Sequence, residues 1–195
     1  MNPLSEKDKV NYIMIYKNRQ STLENNLSGD RLMRYQQANR QVSKDKLLTG
    51  SYFVYQCLKK LGFTNKICQE SFSSVSSYLI GLPKGKISYS NSGDYHILTY
   101  APSGSTGVDI EKYKDRSEQT YQNYLGESVS SDMDSKLLFY KAWLQKEISY
   151  KCGKSIDITY QTMIDGYIYG YAFDNTFDNT FKVEAVYLKE LLPDN

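Results

Sequence analysis

One short segment carries two carboxylates at a spacing that could hold a metal ion. In "TGVDIEKY" (106–113), Asp109 and Glu111 alternate with apolar residues. Both are therefore expected on one side of a β-strand, with α-carbons about 6.5–7 Å apart. Two like charges so placed repel each other unless they are solvated or bridged by a cation, and hard oxygen ligands suit Mg²⁺ or Mn²⁺. The segment predicts either a solvated pair of carboxylates or part of a divalent metal site.

A second segment, "WLQKEISYK" (143–151), places Glu147 and Lys151 four residues apart, on one face of a predicted helix. The pair could be a surface salt bridge. If Glu147 meets Asp109 and Glu111 instead, the three carboxylates need a divalent ion, and Lys151 lies close enough to hold a phosphate oxygen. The residues alone leave both interpretations open.

The composition restricts the classes of protein to which the chain can belong. Its 195 residues suit one compact domain or two small ones sharing a core, and 19 tyrosines predict at least one substantial sheet. A formal charge of +2 is too small to indicate nucleic-acid binding. Three cysteines without a CxxC pair and one histidine argue against a zinc site. With no signal peptide and no apolar run of membrane-spanning length, we expect a cytoplasmic protein without membrane contacts.

Hydrophobic periodicity predicts an α+β fold in which helices precede strands in each half. A basic stretch at 30–46 belongs to the first helical region and could be either a phosphate site or a solvated helix face. A polar loop is predicted at 174–181, where "DNTF" occurs twice. The predicted elements are a strand at 10–17, helices within 21–62, a hairpin at 86–101, a strand at 106–113, a helix from Asp132 or Asp134 to about 151, and strands at 166–173 and 181–188.

Taken together, segments 106–113 and 143–151 resemble the paired signature of the 4′-phosphopantetheinyl transferase superfamily. That signature joins a G-[IV]-D-x-E strand to a later helix with W-x-x-K-E-x-x-x-K. The matching residues are Gly107, Val108, Asp109 and Glu111 in the strand, and Trp143, Lys146, Glu147 and Lys151 in the helix.

Residues 10–173 resemble the longer, surfactin-synthetase-activating type of this superfamily. "RLMRYQQ" and "KDKLLTGSYFV" are similar to its N-terminal helices, and "ISYSNSGDYHILTYA" is similar to its F-x-I-S-H-S-G hairpin. Ser90 and Ser92 match the hairpin, whereas Asn91 stands in place of the family's histidine. Arg31 and Arg34 fall where the family contacts the 3′-phosphate end of coenzyme A, and Lys46 falls where an arginine usually stands.

The resemblance implies two similar α+β halves, 1–104 and 105–195, that pack as a monomeric pseudo-dimer around coenzyme A. The implied enzyme moves the 4′-phosphopantetheine arm of coenzyme A to a serine of an acyl or peptidyl carrier protein and releases adenosine 3′,5′-bisphosphate. Its implied catalytic residues are Asp109, Glu147 and Lys151, with Glu147 as the base for the serine proton. The implied ligands of Mg²⁺, or alternatively Mn²⁺, are Asp109, Glu111 and Glu147, and the implied coenzyme A contacts are Arg31, Arg34, Lys46, Ser90, Asn91 and Lys151.

Two other classes of protein fit the same residues. One is a Mg²⁺-dependent hydrolase of pyrophosphates or nucleotides, which would use the same carboxylates with water as the nucleophile. The other is a non-catalytic relative that binds carrier proteins, which the replacement at Asn91 favours.

Overall fold

The chain folds into helices packed on two small sheets, which confirms the predicted α+β class. The computed structural model describes residues 11–17, 23–74, 82, 85–126, 133–158, 160–174 and 181–185. Within these ranges the elements are β1 (Asn11–Lys17), α1 (Gly29–Gln37), α2 (Gln41–Lys60), α3 (Asn65–Gln69) with a 3-10 turn (Glu70–Phe72), β2 (Lys86–Ser92), β3 (Tyr95–Ala101), β4 (Ser105–Lys112), α4 (Glu118–Leu125), α5 (Met133–Cys152), β5 (Tyr160–Ile164), β6 (Tyr167–Asp174) and β7 (Phe181–Ala185). No described helix is long and apolar enough to cross a membrane.

The strands form two separate sheets. The first has the order β2-β3-β1-β7, in which β3 is antiparallel to both neighbours and β7 runs parallel to β1. The second has the order β4-β6-β5 and is antiparallel throughout. Strands from both predicted halves therefore meet in the first sheet, and the boundary at residues 104 and 105 stays a prediction.

Three hydrophobic clusters show that the sheets pack face to face, with a long helix on each outer side. Helix α2 covers one face of the first sheet, and α5 covers the outer face of the second. Between the sheets lies a third cluster, which includes Ile13, Ile97, Val108 and Ile110. Because Val108 and Ile110 point into this cluster, the alternation of β4 turns Asp109 away from it.

Local patterns account for the elements that position the site. Strand β1 is buried on both faces, which explains its continuous run of apolar and aromatic residues. Gly62, with a φ of 82°, follows the end of α2, where glycine adopts this conformation without strain. The predicted hairpin of β2 and β3 turns at Gly93, where φ is 53°. The caps predicted for α5 and most of the predicted polar loop at 174–181 lie outside the described side chains.

Candidate active site

Asp109 lies at the centre of the candidate site and is only 5% exposed. Its Oδ1 accepts hydrogen bonds from Ser90 Oγ at 2.6 Å and from Lys151 Nζ at 2.8 Å. Its Oδ2 is buried and has no hydrogen-bond partner within the described residues. A buried carboxylate oxygen without a donor is costly, so this atom marks a position where a ligand would be stabilised.

Lys151 reaches Asp109 because α5 crosses β4 at unusually short range. A Cβ atom at Gly107 would lie 2.8 Å from both the Cys152 Sγ and the Ile148 carbonyl oxygen, so only glycine permits this approach. The Lys151 ammonium also donates to the Val108 carbonyl oxygen at 2.9 Å. Lys151 therefore forms its salt bridge with Asp109, 42 residues away, rather than with Glu147 on its own helix.

Glu111 is half-buried next to this ion pair. Burial raises the pKa of the Glu111 carboxyl, and the negative charge of Asp109 raises it further. Positive charges on Arg116, Lys114 and Lys151 act in the opposite direction. The two carboxylates of β4 thus lie within each other's field, as the sequence predicts, and a cation between them would relieve their repulsion.

Glu147 lies half-buried on α5, one turn before Lys151. Burial raises the pKa of the Tyr124 hydroxyl, and the charge of Glu147 adds to this shift, so Glu147 lies near Tyr124 of α4. In the described part of the chain, no group of three or more Asp, Glu, His or Cys side chains is arranged to hold a metal ion. The predicted ligand set of Asp109, Glu111 and Glu147 therefore stays a prediction.

Two of the predicted coenzyme A residues, Asn91 in β2 and Lys46 in α2, lie near the buried His96. Asn91, which is exposed, donates from Nδ2 to Tyr89 Oη at 2.9 Å, and the same hydroxyl pairs with His96 Nδ1 at 2.8 Å. Burial and then the charge of Lys46 lower the pKa of His96 to about 3, so His96 is neutral. A Cβ at Gly50 would lie 2.5 Å from Tyr89 Oη, which shows how closely α2 approaches. Asn91 and Lys46 thus flank one network, in which sequence reasoning missed Tyr89.

The two predicted arginine contacts differ sharply in their surroundings. Arg31 is 5% exposed, and its Nε donates to the Ser74 carbonyl oxygen at 2.7 Å. Arg34 is exposed in the last turn of α1. Arg31 therefore holds the segment after the 3-10 turn, whereas Arg34 presents its charge to solvent. A contact of either with coenzyme A stays a prediction.

Comparison with known proteins adds no further assignment. No family model matches this chain, and a search of curated proteins finds no match. The resemblance to phosphopantetheinyl transferases rests on the sequence motifs and stays a prediction.

Proposed function

We propose that the protein transfers the 4′-phosphopantetheine arm of coenzyme A to a serine of a carrier protein. The observation that carries this proposal is the convergence of three separate segments at Asp109. Ser90 comes from the β2 hairpin, 19 residues before Asp109, and Lys151 comes from α5, 42 residues after it. Each of these three segments carries residues that resemble motifs of the family.

The burial of Asp109 argues against the simpler interpretation of a solvated D-x-E pair. A solvated pair would expose both carboxylates to water, whereas Asp109 is 5% exposed and lies against a lysine. Charged groups are rarely buried unless they are paired or bind a ligand. Keeping an aspartate here costs stability that a functional role explains.

The chemistry of the donors fits a divalent cation. Asp109 contributes the buried Oδ2, and Glu111 carries a pKa raised by burial and by Asp109. Asp109, Glu111 and Glu147 would hold Mg²⁺ or Mn²⁺, and the bound ion would neutralise charge on the pyrophosphate of coenzyme A.

The side chains of the protein supply the remaining roles. The Ser90 hydroxyl and the Lys151 ammonium hold one oxygen of Asp109 and thereby orient the other. Lys151 brings a positive charge to the place where the leaving phosphate gains negative charge. Glu147 accepts the proton of the carrier-protein serine. Asn91, Lys46 and the exposed Arg34 would bind coenzyme A on the other side of β2.

The proposal includes a pseudo-dimeric arrangement of the two halves. Each sheet is covered on its outer face by a helix of 20 residues, α2 or α5. Each of these helices also meets the sheet at a glycine that leaves no room for a Cβ, Gly50 in α2 and Gly107 in β4. These parallels support two related units with the ligand cleft between them.

Intact-mass measurement of a carrier protein incubated with coenzyme A, Mg²⁺ and this protein tests the proposal. A mass gain of one phosphopantetheine is expected, and Asp109→Ala is expected to remove nearly all of it because charge neutralisation is lost. Asp115→Ala is the matched control, since Asp115 forms an exposed ion pair after the same strand. Substantial activity in folded Asp109→Ala would contradict the metal assignment.

The same experiment distinguishes the alternatives. Breakdown of coenzyme A in the absence of a carrier protein would favour the hydrolase. Undetectable binding of coenzyme A in calorimetry would favour the non-catalytic relative.

A further inference from the structure

Three serines at alternate positions of β2 all bind β4. Ser88, Ser90 and Ser92 share one face of their strand, and that face points at β4. Ser88 Oγ accepts from the Val108 N–H, and Ser92 Oγ accepts from the Lys112 N–H, both at 3.1 Å. Ser90 Oγ donates to Asp109 Oδ1 at 2.6 Å. The "SYSNS" pattern of β2 is therefore a row of hydroxyls along β4.

The hydroxyls satisfy backbone groups that the second sheet leaves unpaired. Among the described strands β4 pairs with β6 alone, on one side, so alternate N–H groups face away from its sheet. Ser88 and Ser92 bind two of these groups. Both partners lie 20 residues further along the chain, so β2 and β4 run in the same direction at a constant offset. Serine side chains thus join the two sheets at a place where the described residues form no backbone ladder.

The two bound amides flank the two carboxylates of β4 that are proposed to bind the metal ion. Val108 immediately precedes Asp109, and Lys112 immediately follows Glu111. We infer that Ser88 and Ser92 are positioning residues that hold the Asp109–Glu111 segment in place against the first sheet. This inference rests on the proposed function for its effect on transfer, but the two hydrogen bonds are independent of it.

The two serine hydrogen bonds differ in how far they are buried. Ser88 is 2% exposed, so water cannot replace its hydroxyl at the Val108 N–H. Ser92 is half-buried and its bond to Lys112 is exposed, so water can substitute in part. Loss of Ser88 is therefore expected to have the larger effect.

Amide hydrogen exchange and steady-state kinetics of four variants test the inference. Ser88→Ala and Ser92→Ala each remove one hydroxyl, whereas Ser92→Thr keeps a hydroxyl at position 92. Thr106→Val is the matched control, because it deletes buried hydrogen bonds to Thr99 Oγ1 and the Ala172 carbonyl oxygen at the start of β4.

Ser88→Ala is expected to speed exchange of the Val108 amide by about tenfold or more. It is also expected to lower kcat for transfer by roughly tenfold, with the KM for coenzyme A within about twofold, because the reacting geometry loosens. Ser92→Ala acts in the same direction on Lys112 to a smaller degree, and Ser92→Thr returns both quantities towards wild type. Thr106→Val lowers stability but leaves kcat within about twofold.

The outcomes that contradict the inference differ from those that contradict the proposed function. Unchanged exchange at Val108 and Lys112 in the alanine variants overturns it, as does faster exchange with an unchanged kcat in a protein that performs transfer. If the wild-type protein performs no transfer, the proposed function fails and the exchange rates alone decide the inference. Should Ser88→Ala fail to fold, the comparison of Ser92→Ala with Ser92→Thr decides it.

Discussion

Breaking the ion pair between Lys151 and Asp109 from one side is expected to lower stability substantially. Its atoms are 2.8 Å apart, and the side chains are 20% and 8% exposed. Replacing Lys151 with methionine leaves the Asp109 charge buried, with Ser90 as its remaining described donor. Breaking a buried pair from one side costs about 3–5 kcal/mol, and we expect about 3 kcal/mol because water reaches part of Lys151.

A double-mutant cycle isolates the interaction from these losses. Asp109→Asn removes the other charge, and the double variant Asp109→Asn/Lys151→Met leaves no unpaired ion. The double variant is therefore expected to be more stable than the sum of the single losses predicts, by about 2 kcal/mol. Urea unfolding at pH 7, with linear extrapolation to water, measures each free energy of unfolding.

The chain provides a matched control for this cycle. Lys136 and Asp115 also form an ion pair, at 2.9 Å, but the Asp115 side chain is 93% exposed. Water screens such a pair, so the cycle of Lys136→Met and Asp115→Asn is expected to give a coupling below about 0.5 kcal/mol. A coupling as small as this for Lys151 and Asp109 would refute the argument that burial strengthens their interaction.

Three further changes test other parts of the structure. Gly107→Ala is expected to lower the free energy of unfolding by about 1–3 kcal/mol, because its Cβ would lie 2.8 Å from the Ile148 carbonyl oxygen; an unchanged urea midpoint would contradict the close approach of α5. Burial lowers the pKa of His96 to about 3 in the folded protein. Between pH 3 and 6.5 the unfolded chain therefore binds one proton more than the folded protein does. The free energy of unfolding is expected to fall as the pH drops through that window, by up to about 1.4 kcal/mol per pH unit. His96→Gln removes this contribution, which urea unfolding of both proteins at pH 4.5 and 6.5 detects. An equal change of the free energy of unfolding with pH in the wild type and in His96→Gln would show that His96 is accessible to protons. Asn91→His is expected to tighten coenzyme A binding a few-fold, more strongly below pH 6.5, because a protonated histidine adds a charge-assisted hydrogen bond to phosphate. If calorimetry shows an unchanged affinity for both Asn91→His and Asn91→Ala, the β2–β3 hairpin does not contact coenzyme A.

The elements that sequence reasoning found are those with a strong local period. The strand β4, the helix α5 and the β2–β3 hairpin were all predicted within a few residues of their observed bounds. Each pattern reflects one side of an element facing a core, and that information lies in consecutive residues.

The elements that were missed have weak local signals. In α4 only Tyr121 is buried, and the segment reads as a polar stretch although Ser117 caps it by accepting from the Thr120 N–H. β5 was also not predicted. The parallel pairing of β7 with β1 joins residues about as far apart as the chain allows, so no local period could reveal it.

The sequence by itself determined which residue types share a face: Asp109 with Glu111 on a strand, Glu147 near Lys151 on a helix, and the alternating serines of β2. Only the tertiary structure decided which of these groups meet. Lys151 binds Asp109 because Gly107 allows α5 to pack closely against β4. Arg31 can be buried because its guanidinium donates a hydrogen bond to the Ser74 carbonyl oxygen. The physical reason is that periodicity specifies the direction of a side chain relative to its own backbone, whereas the partner of a charge depends on how distant elements pack.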